Sequence, residues 1–495
     1  MTASWYERMT GADRSFLVFE GRHTHMNVGG TTIFEAGPLR TPEGGIDSER
    51  IRAYIGSRLH LIPRYRQRLA YAPIEGYPVW VDDDRLNLHY HVRHACLPRP
   101  GNERQLQALA AQIMSQRLDR RRPLWEAWLI EGLADERFAM VLKTHHCVVD
   151  GVSGVDLMSV LLRPAPDDAF EPAPEWRPRP TPAPAELLRG ELWRHATRPF
   201  ALGRQVVAAC ADPFRLPARL AEGVASAAGF VRSGLRPPAA TPINQPIGPF
   251  RRCDWMAMSL AEVKQVKNAL GATVNDVILA TAAGALRRYL MHRETDVRTL
   301  DVRVVVPVSV RAATDAGTMG NRVAAWLLSL PIQEADPRAR CAELTRTTAG
   351  LKASHQARGV EVLAQVAELF DPIMTLGVRL ARRLHPYNLI ISNVPGPQFP
   401  LYLLGARLRA GYPIVPLFES QGFGIATFSY DGTLFWGLNA CWDLIPDLDV
   451  FVAALETSFQ ELREAALGGP AQTIRERTAA PGARAATASS MSGRG

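Results

Sequence analysis

Residues 138–151 read Phe138-Ala139-Met140-Val141-Leu142-Lys143-Thr144-His145-His146-Cys147-Val148-Val149-Asp150-Gly151. Phe138–Thr144 has the short apolar make-up of a strand, and the polar turn Leu133–Arg137 joins it to an earlier strand over Ala127–Gly132. Gly151 permits a tight turn, after which a helical pattern resumes through Val155, Leu157, Met158, Val160 and Leu161. The histidine pair therefore falls where a strand gives way to a helix. Strand ends in α/β layers are places from which side chains project into a cleft. The fold class that follows is α/β.

Working outward, Ser48–Leu69 reads as a helix ending in the basic segment Pro63–Arg68, and Glu103–Gln116 as a helix with Leu106, Leu109 and Ile113 on one face. Eight prolines between Pro164 and Pro184 exclude a helix or an inner strand and predict a stiff linker. Ala185–Leu235 reads as one or two amphipathic helices, with Trp193, Phe200, Leu202, Val206 and Val207 interleaved with arginines. A second proline-rich link, Arg236–Pro249, precedes helices over Leu260–Leu270 and Val274–Arg287 and a β-branched strand over Val302–Val310. Ile390–Val394 predicts a short strand, and Asp431-Gly432 predicts a hairpin between Gly422–Ser429 and Leu434–Ala440. The organisation is a first subdomain over 1–163, linker and crossing helices over 164–250, a second subdomain over 251–466 and a disordered tail over 467–495.

The bulk properties narrow the partners. A net charge of +8 over 495 residues is mild, with no dense basic stripe interleaved with aromatics, which argues against nucleic acid. It suits an anionic ligand or an anionic membrane surface. The six cysteines are far apart and form no CxxC pair, so neither a disulfide framework nor a zinc site is indicated. The first nineteen residues carry Glu7, Arg8, Asp13 and Arg14 and no apolar core of a signal peptide. No uncharged apolar run reaches the ~18 residues that span a bilayer. The expected location is cytoplasmic, with any membrane contact peripheral.

Chemistry concentrates in the histidine motif. An alcohol is a poor nucleophile near neutral pH, and a neutral imidazole can take its proton as it attacks a thioester carbonyl. His146 is the candidate base. His145 is expected to be structural, its ring held by a backbone group. Asp150 fixes the loop or orients the ring, paired with an arginine, for which Arg311 is a candidate. Cys147 has no evident activating partner and is not the expected nucleophile. Asn275 has two readings: an amide donor to a developing oxyanion, or the N-cap of the helix it precedes.

Further blocks carry a resemblance. They are Met9-Thr10-Gly11-Ala12-Asp13 with Phe16-Leu17 and Glu20, Arg122-Pro123-Leu124-Trp125-Glu126, and Val274-Asn275-Asp276-Val277. Pro307-Val308-Ser309-Val310-Arg311, Gly320-Asn321 and Ser392-Asn393-Val394-Pro395-Gly396-Pro397 complete them. With the histidine motif, and in the same order over residues 1–465, they resemble the bacterial wax ester synthase/acyl-CoA:diacylglycerol acyltransferase family. The resemblance implies two chloramphenicol-acetyltransferase-like subdomains with the active-site channel between them. It further implies acyl transfer from acyl-CoA, as co-substrate and not cofactor, to diacylglycerol or a long-chain alcohol, with His146, His145, Asp150 and Asn275 as site residues. Trp125 is expected to pack, and Ser392-Asn393 to form a turn lining the channel. Two rivals stand beside this: a condensation-type transferase, which shares the HHxxxDG motif, and a catalytically silent lipid-binding protein.

Overall fold

The computed structural model describes residues 6–148, 160–210, 238–309, 323–353 and 387–468. Asp150, Gly151, Arg311, Gly320, Asn321 and the tail from 469 lie outside them, as does the predicted helical stretch beyond Cys210.

Strand β1 (Glu7–Arg8) leads into α1 (Gly11–Phe19), capped by Thr10, whose side chain accepts from the Asp13 N–H. β2 (Asn27–Glu35) and α2 (Ser48–Arg58) follow. The helix predicted over 48–69 stops at Arg58. Two 3-10 turns follow it, and Gln67–Tyr71 forms β3, paired along its length with β4 (Pro78–Asp82). Pro63 has no N–H for a continuing helix, and a free strand partner claims the residues beyond it. α3 (Leu88–His91), β5 (Val92–Cys96) and α4 (Glu103–Ser115) come next. A reciprocal Asn102–Gln105 capping box starts α4. β6 (Trp125–Leu133) and β7 (Arg137–His145) close the first half.

After the proline-rich stretch comes α5 (Pro184–Cys210), tied to the first half by ion pairs of Glu191 with Arg8 and of Arg194 with Glu75. The second half contains β8 (Arg251–Ser259), α6 (Leu260–Ala269), α7 (Val274–His292), β9 (Val302–Ser309), β10 (Val323–Leu330) and α8 (Pro337–Ala353). It continues through β11 (Leu389–Pro395), β12 (Tyr402–Leu403), β13 (Ala406–Ile414), β14 (Phe423–Tyr430), β15 (Thr433–Cys441) and α9 (Leu448–Leu467). The turn between β14 and β15 places Asp431 at φ 44° and Gly432 at φ 78°, the paired left-handed conformation that Asp-Gly supplies in a two-residue hairpin.

Two six-stranded sheets result, ordered β12-β13-β2-β7-β6-β5 and β10-β9-β11-β14-β15-β8, with a small β1-β4-β3 sheet beside the first. The first sheet does not end where the first half of the chain does. β13 lies antiparallel to β2, with Gly411 opposite Thr32. Residues 402–414, from the second half of the chain, thus belong to the first sheet. β2 would otherwise present a row of unpaired N–H and C=O groups on the side away from β7, and β13 satisfies them.

The halves also share packing. One apolar cluster takes in Trp125 and Leu129 from the first half with Trp255, Leu401, Tyr412, Phe428 and Phe435 from the second. Trp255 stacks on Tyr412 at 4.8 Å, and Gln107 donates to Asp254 at 2.7 Å. A second cluster surrounds α7, which packs against α6, α8, α9 and β10. The linker is exposed over most of its length and is pinned by Arg179, whose Nε and an Nη both donate to Asp82 at 3.0 Å. Among the described residues, no single helix is long and apolar enough to cross a membrane. The pair α6–α7 meets the length and composition test only together, and is bent by 97°.

Candidate active site

β7 delivers the histidines. Its last residue, His145, lies opposite Asn27 of β2, and its N–H donates to the Leu124 carbonyl at 2.9 Å. The next N–H, of His146, donates to the Met26 carbonyl at 2.7 Å. The main chain is thus held from both neighbouring strands as it enters a 3-10 turn, His146–Val148, packed on α1.

The two rings have different surroundings. His145 is buried. Its Nδ1 accepts from the Cys147 N–H at 3.2 Å, and its Nε2 faces Glu20 Oε1 at 3.7 Å. Glu20 is ion-paired with Arg120, and Arg117 stands 3.8 Å away. His146 is half-buried and lies face to face on Phe16, ring centres 3.8 Å apart and planes 13° from parallel. Its Nδ1 is buried and has no well-formed hydrogen bond among the described residues.

Burial pushes the His146 imidazole down to about 4, its own carbonyl opposing weakly. His145 is pushed to about 3 by burial, then by Arg120, His146 and Arg117. Both rings are neutral at pH 7, the state a general base requires. Cys147 is buried, and burial raises its thiol well above the ordinary range, so it is protonated and a poor nucleophile.

These shifts have a stability consequence. His25, also buried, is pushed to about 4 by burial and then by Arg251 and Arg117. The unfolded chain protonates all three histidines near 6.5, while the folded protein refuses the proton until about 4 or 3. Their contribution to stability is fully present above 6.5 and is lost as the pH falls toward those folded values. The urea midpoint should be level near pH 7.5 and drop between pH 6.5 and 5, above the range where most carboxylates titrate. A midpoint that holds or rises over that interval would contradict the neutral-ring assignment.

The other site residues are placed unevenly. Asn275 is the second residue of α7, half-buried, and its side chain makes no hydrogen bond among the described residues. It is not the N-cap. Thr273 caps α7 by accepting from the Asp276 N–H at 3.2 Å, and the Asp276 carboxylate in turn accepts from the Thr273 N–H at 2.9 Å. Asp276 also accepts from Thr348 at 2.7 Å, so the acid of that block anchors α7. Trp125 is buried between His91 and Tyr65, stacked at 4.7 and 4.8 Å, and its indole N–H donates to the Tyr65 carbonyl. Asn393 accepts from Thr427 at 3.0 Å within the second sheet. Sequence reasoning gave Phe16, Glu20 and Arg120 no role at the site. Phe16 lies in the last turn of α1 and Glu20 is its C-cap, four residues on, and their place together in the opening block was the available signal.

The wax ester synthase/diacylglycerol acyltransferase catalytic domain model matches residues 9–278, and the C-terminal domain model of the same family matches 319–463. A Mycobacterium tuberculosis H37Rv protein named probable diacylglycerol O-acyltransferase tgs2 is 35% identical over 465 residues, covering 92% of this chain and 98% of that one. The solved wax ester synthase/diacylglycerol acyltransferase from Marinobacter aquaeolei VT8 superposes with a TM-score of 0.64 at 28% identity, over 93% of this chain and 99% of that one. The first condensation domain of the calcium-dependent antibiotic synthetase shares the fold, with a TM-score of 0.58 at 16% identity over 96% and 99% of the two chains. The condensation-like architecture is therefore common ground, and the domain matches separate the two transferase readings. This chain belongs to the wax ester synthase/diacylglycerol acyltransferase family of acyltransferases.

Proposed function

We propose that the protein moves a long acyl group from acyl-CoA to a lipid alcohol, diacylglycerol or a long-chain alcohol or both, with His146 as the general base. The observation that carries this is the neutral, half-buried His146 ring stacked on Phe16 at a strand end. The alcohol oxygen attacks the thioester carbon while the free ring nitrogen of His146 takes the hydroxyl proton. The tetrahedral intermediate collapses, the C–S bond breaks, and the imidazolium returns the proton to the CoA sulfur. No covalent acyl-enzyme is needed. In this scheme Asn275 donates to the oxyanion, His145 and Glu20 hold the turn, and Asp150 orients it. Purified protein given labelled palmitoyl-CoA with hexadecanol and diacylglycerol in competition should release CoA and form triacylglycerol, wax ester or both on thin-layer plates. Ligand binding without any acylated product would favour the silent lipid-binding reading.

The lipid acceptor leads to a peripheral membrane contact at α5. Ile74 is 88% exposed on the β3–β4 turn, and Trp193 is 71% exposed on α5. Arg194 and His195 of α5 bind Glu75 of that turn, so the two apolar groups are held in one neighbourhood. Interfacial binding uses such aromatic and aliphatic groups near arginine, and Arg189 is exposed on the same helix. Arg194 is instead ion-paired with Glu75 and Glu191. Arg198 and Arg204 have side chains outside the described set. Trp193→Ser with Ile74→Ser should cut co-sedimentation with phosphatidylglycerol-containing vesicles, whereas unchanged binding would place the contact elsewhere.

A further inference from the structure

β8 begins at the seam between the halves, one loop away from the histidine turn. Arg251 donates to the His23 carbonyl, and its N–H donates to Ser115 at 2.8 Å. His23 belongs to the loop ending at Met26, whose carbonyl holds the His146 N–H. The start of β8, the end of β15 and that loop therefore form one rim beside the site, with Arg251 paired to Cys441 across the ladder.

The rim has an unusual make-up. Phe250 is 59% exposed and Trp442 48% exposed, and they are joined by a hydrogen bond from the Trp442 N–H to the Phe250 carbonyl at 3.1 Å. The Arg252 guanidinium lies 3.9 Å over the Trp442 ring. Its Nε is buried without a hydrogen-bond partner, and no carboxylate pairs with it among the described residues. Arg251 is buried, and the partners of its guanidinium are the carbonyls of Gly248, Phe250 and His23. Buried cations are normally paired. The exposed Asp443 stands nearby, its carboxylate against Gly248. The positive field here is felt by His25, which Arg251 helps hold down after burial itself.

Two flat exposed rings beside the Arg252 guanidinium, which no carboxylate neutralises among the described residues, match a ligand that is at once aromatic and multiply anionic. Arginine recognises phosphate oxygens through its fixed fork of donors, and an indole face stacks a base whatever its sequence identity. We propose that Phe250, Trp442 and Arg252 form the binding site for the nucleotide end of the acyl-CoA donor, with adenine on the rings and phosphates toward Arg252. The pantetheine arm then leads past the His23–Met26 loop to His146. This rests on the reading that the donor is acyl-CoA.

The test compares two donors that differ only at that end, palmitoyl-CoA and S-palmitoyl pantetheine, in the full-length protein. Arg252→Gln with Trp442→Ala should raise KM for palmitoyl-CoA at least about tenfold, with kcat changed by less than about twofold, and leave KM for the pantetheine thioester unchanged. Tryptophan fluorescence should respond to 3′,5′-ADP in the parent and not in Trp442→Ala. Equal losses with both donors, or no loss with either, would overturn the site. Loss of vesicle binding with both KM values unchanged would also overturn it, assigning the rim to a lipid surface. If the parent turns over neither thioester, the acyl-CoA reading fails, and the 3′,5′-ADP titration still decides whether the rim binds a nucleotide.

Discussion

His146→Ala should lower turnover at least ~100-fold with the fold intact, the range expected when a positioned base is removed. The chain beyond Cβ is absent in the variant, so no group remains on Phe16 to take the hydroxyl proton. The main-chain bond from residue 146 to the Met26 carbonyl persists, since it uses the backbone N–H. Circular dichroism and the urea midpoint should therefore stay near those of the parent while CoA release collapses. In the parent, the acid limb of kcat/KM should lie well below 6.5, because the folded His146 ring takes its proton near 4. Near-parental turnover in His146→Ala, with unchanged fold, would remove His146 from the mechanism.

Gly437→Ala should destabilise the protein by on the order of 3 kcal/mol, through overpacking where the two sheets touch. A Cβ at 437 would sit 1.8 Å from the Pro413 carbonyl oxygen, and that oxygen belongs to backbone. Relief is not available on either side. Gly437 is held in register between Ala426 of β14 and Trp255 of β8, while Pro413 is paired with Gly30 of β2. The variant should show a lowered urea midpoint and weakened cohesion of the halves. In the parent, limited proteolysis within 164–184 should leave the two fragments associated, because β13 is a strand of the first sheet. An unshifted midpoint in Gly437→Ala, or clean separation of parental fragments into two stable halves, would count against the shared construction.

Much of the local structure was legible in the sequence, because its causes are local. The apolar run before His145 and the β-branched run from Val302 needed only a partner to become strands. Asp431-Gly432 supplied its own left-handed turn, and prolines from 164 onward excluded regular structure. The failures have equally particular causes. The helix expected over 48–69 ends at Arg58, since helical periodicity does not reveal that β4 is waiting for residues 67–71. Asn275 looked like a cap because it is a good cap residue, yet Thr273 two positions earlier takes that place with a reciprocal partner in Asp276.

By itself, the sequence determined the α/β class, the positions of most strands near the motif, the histidine pair at a strand end and the family resemblance. Tertiary structure alone decided that β13 completes the first sheet, that Phe16 covers His146 and Glu20 faces His145, and that both rings are neutral. The physical reason is range. Periodicity and turn chemistry act over a few residues, whereas a strand's pattern says only that it needs an edge and not whose. The charge state of His146 depends on burial by Phe16, 130 positions away in the chain, and nothing in the local sequence reports that contact.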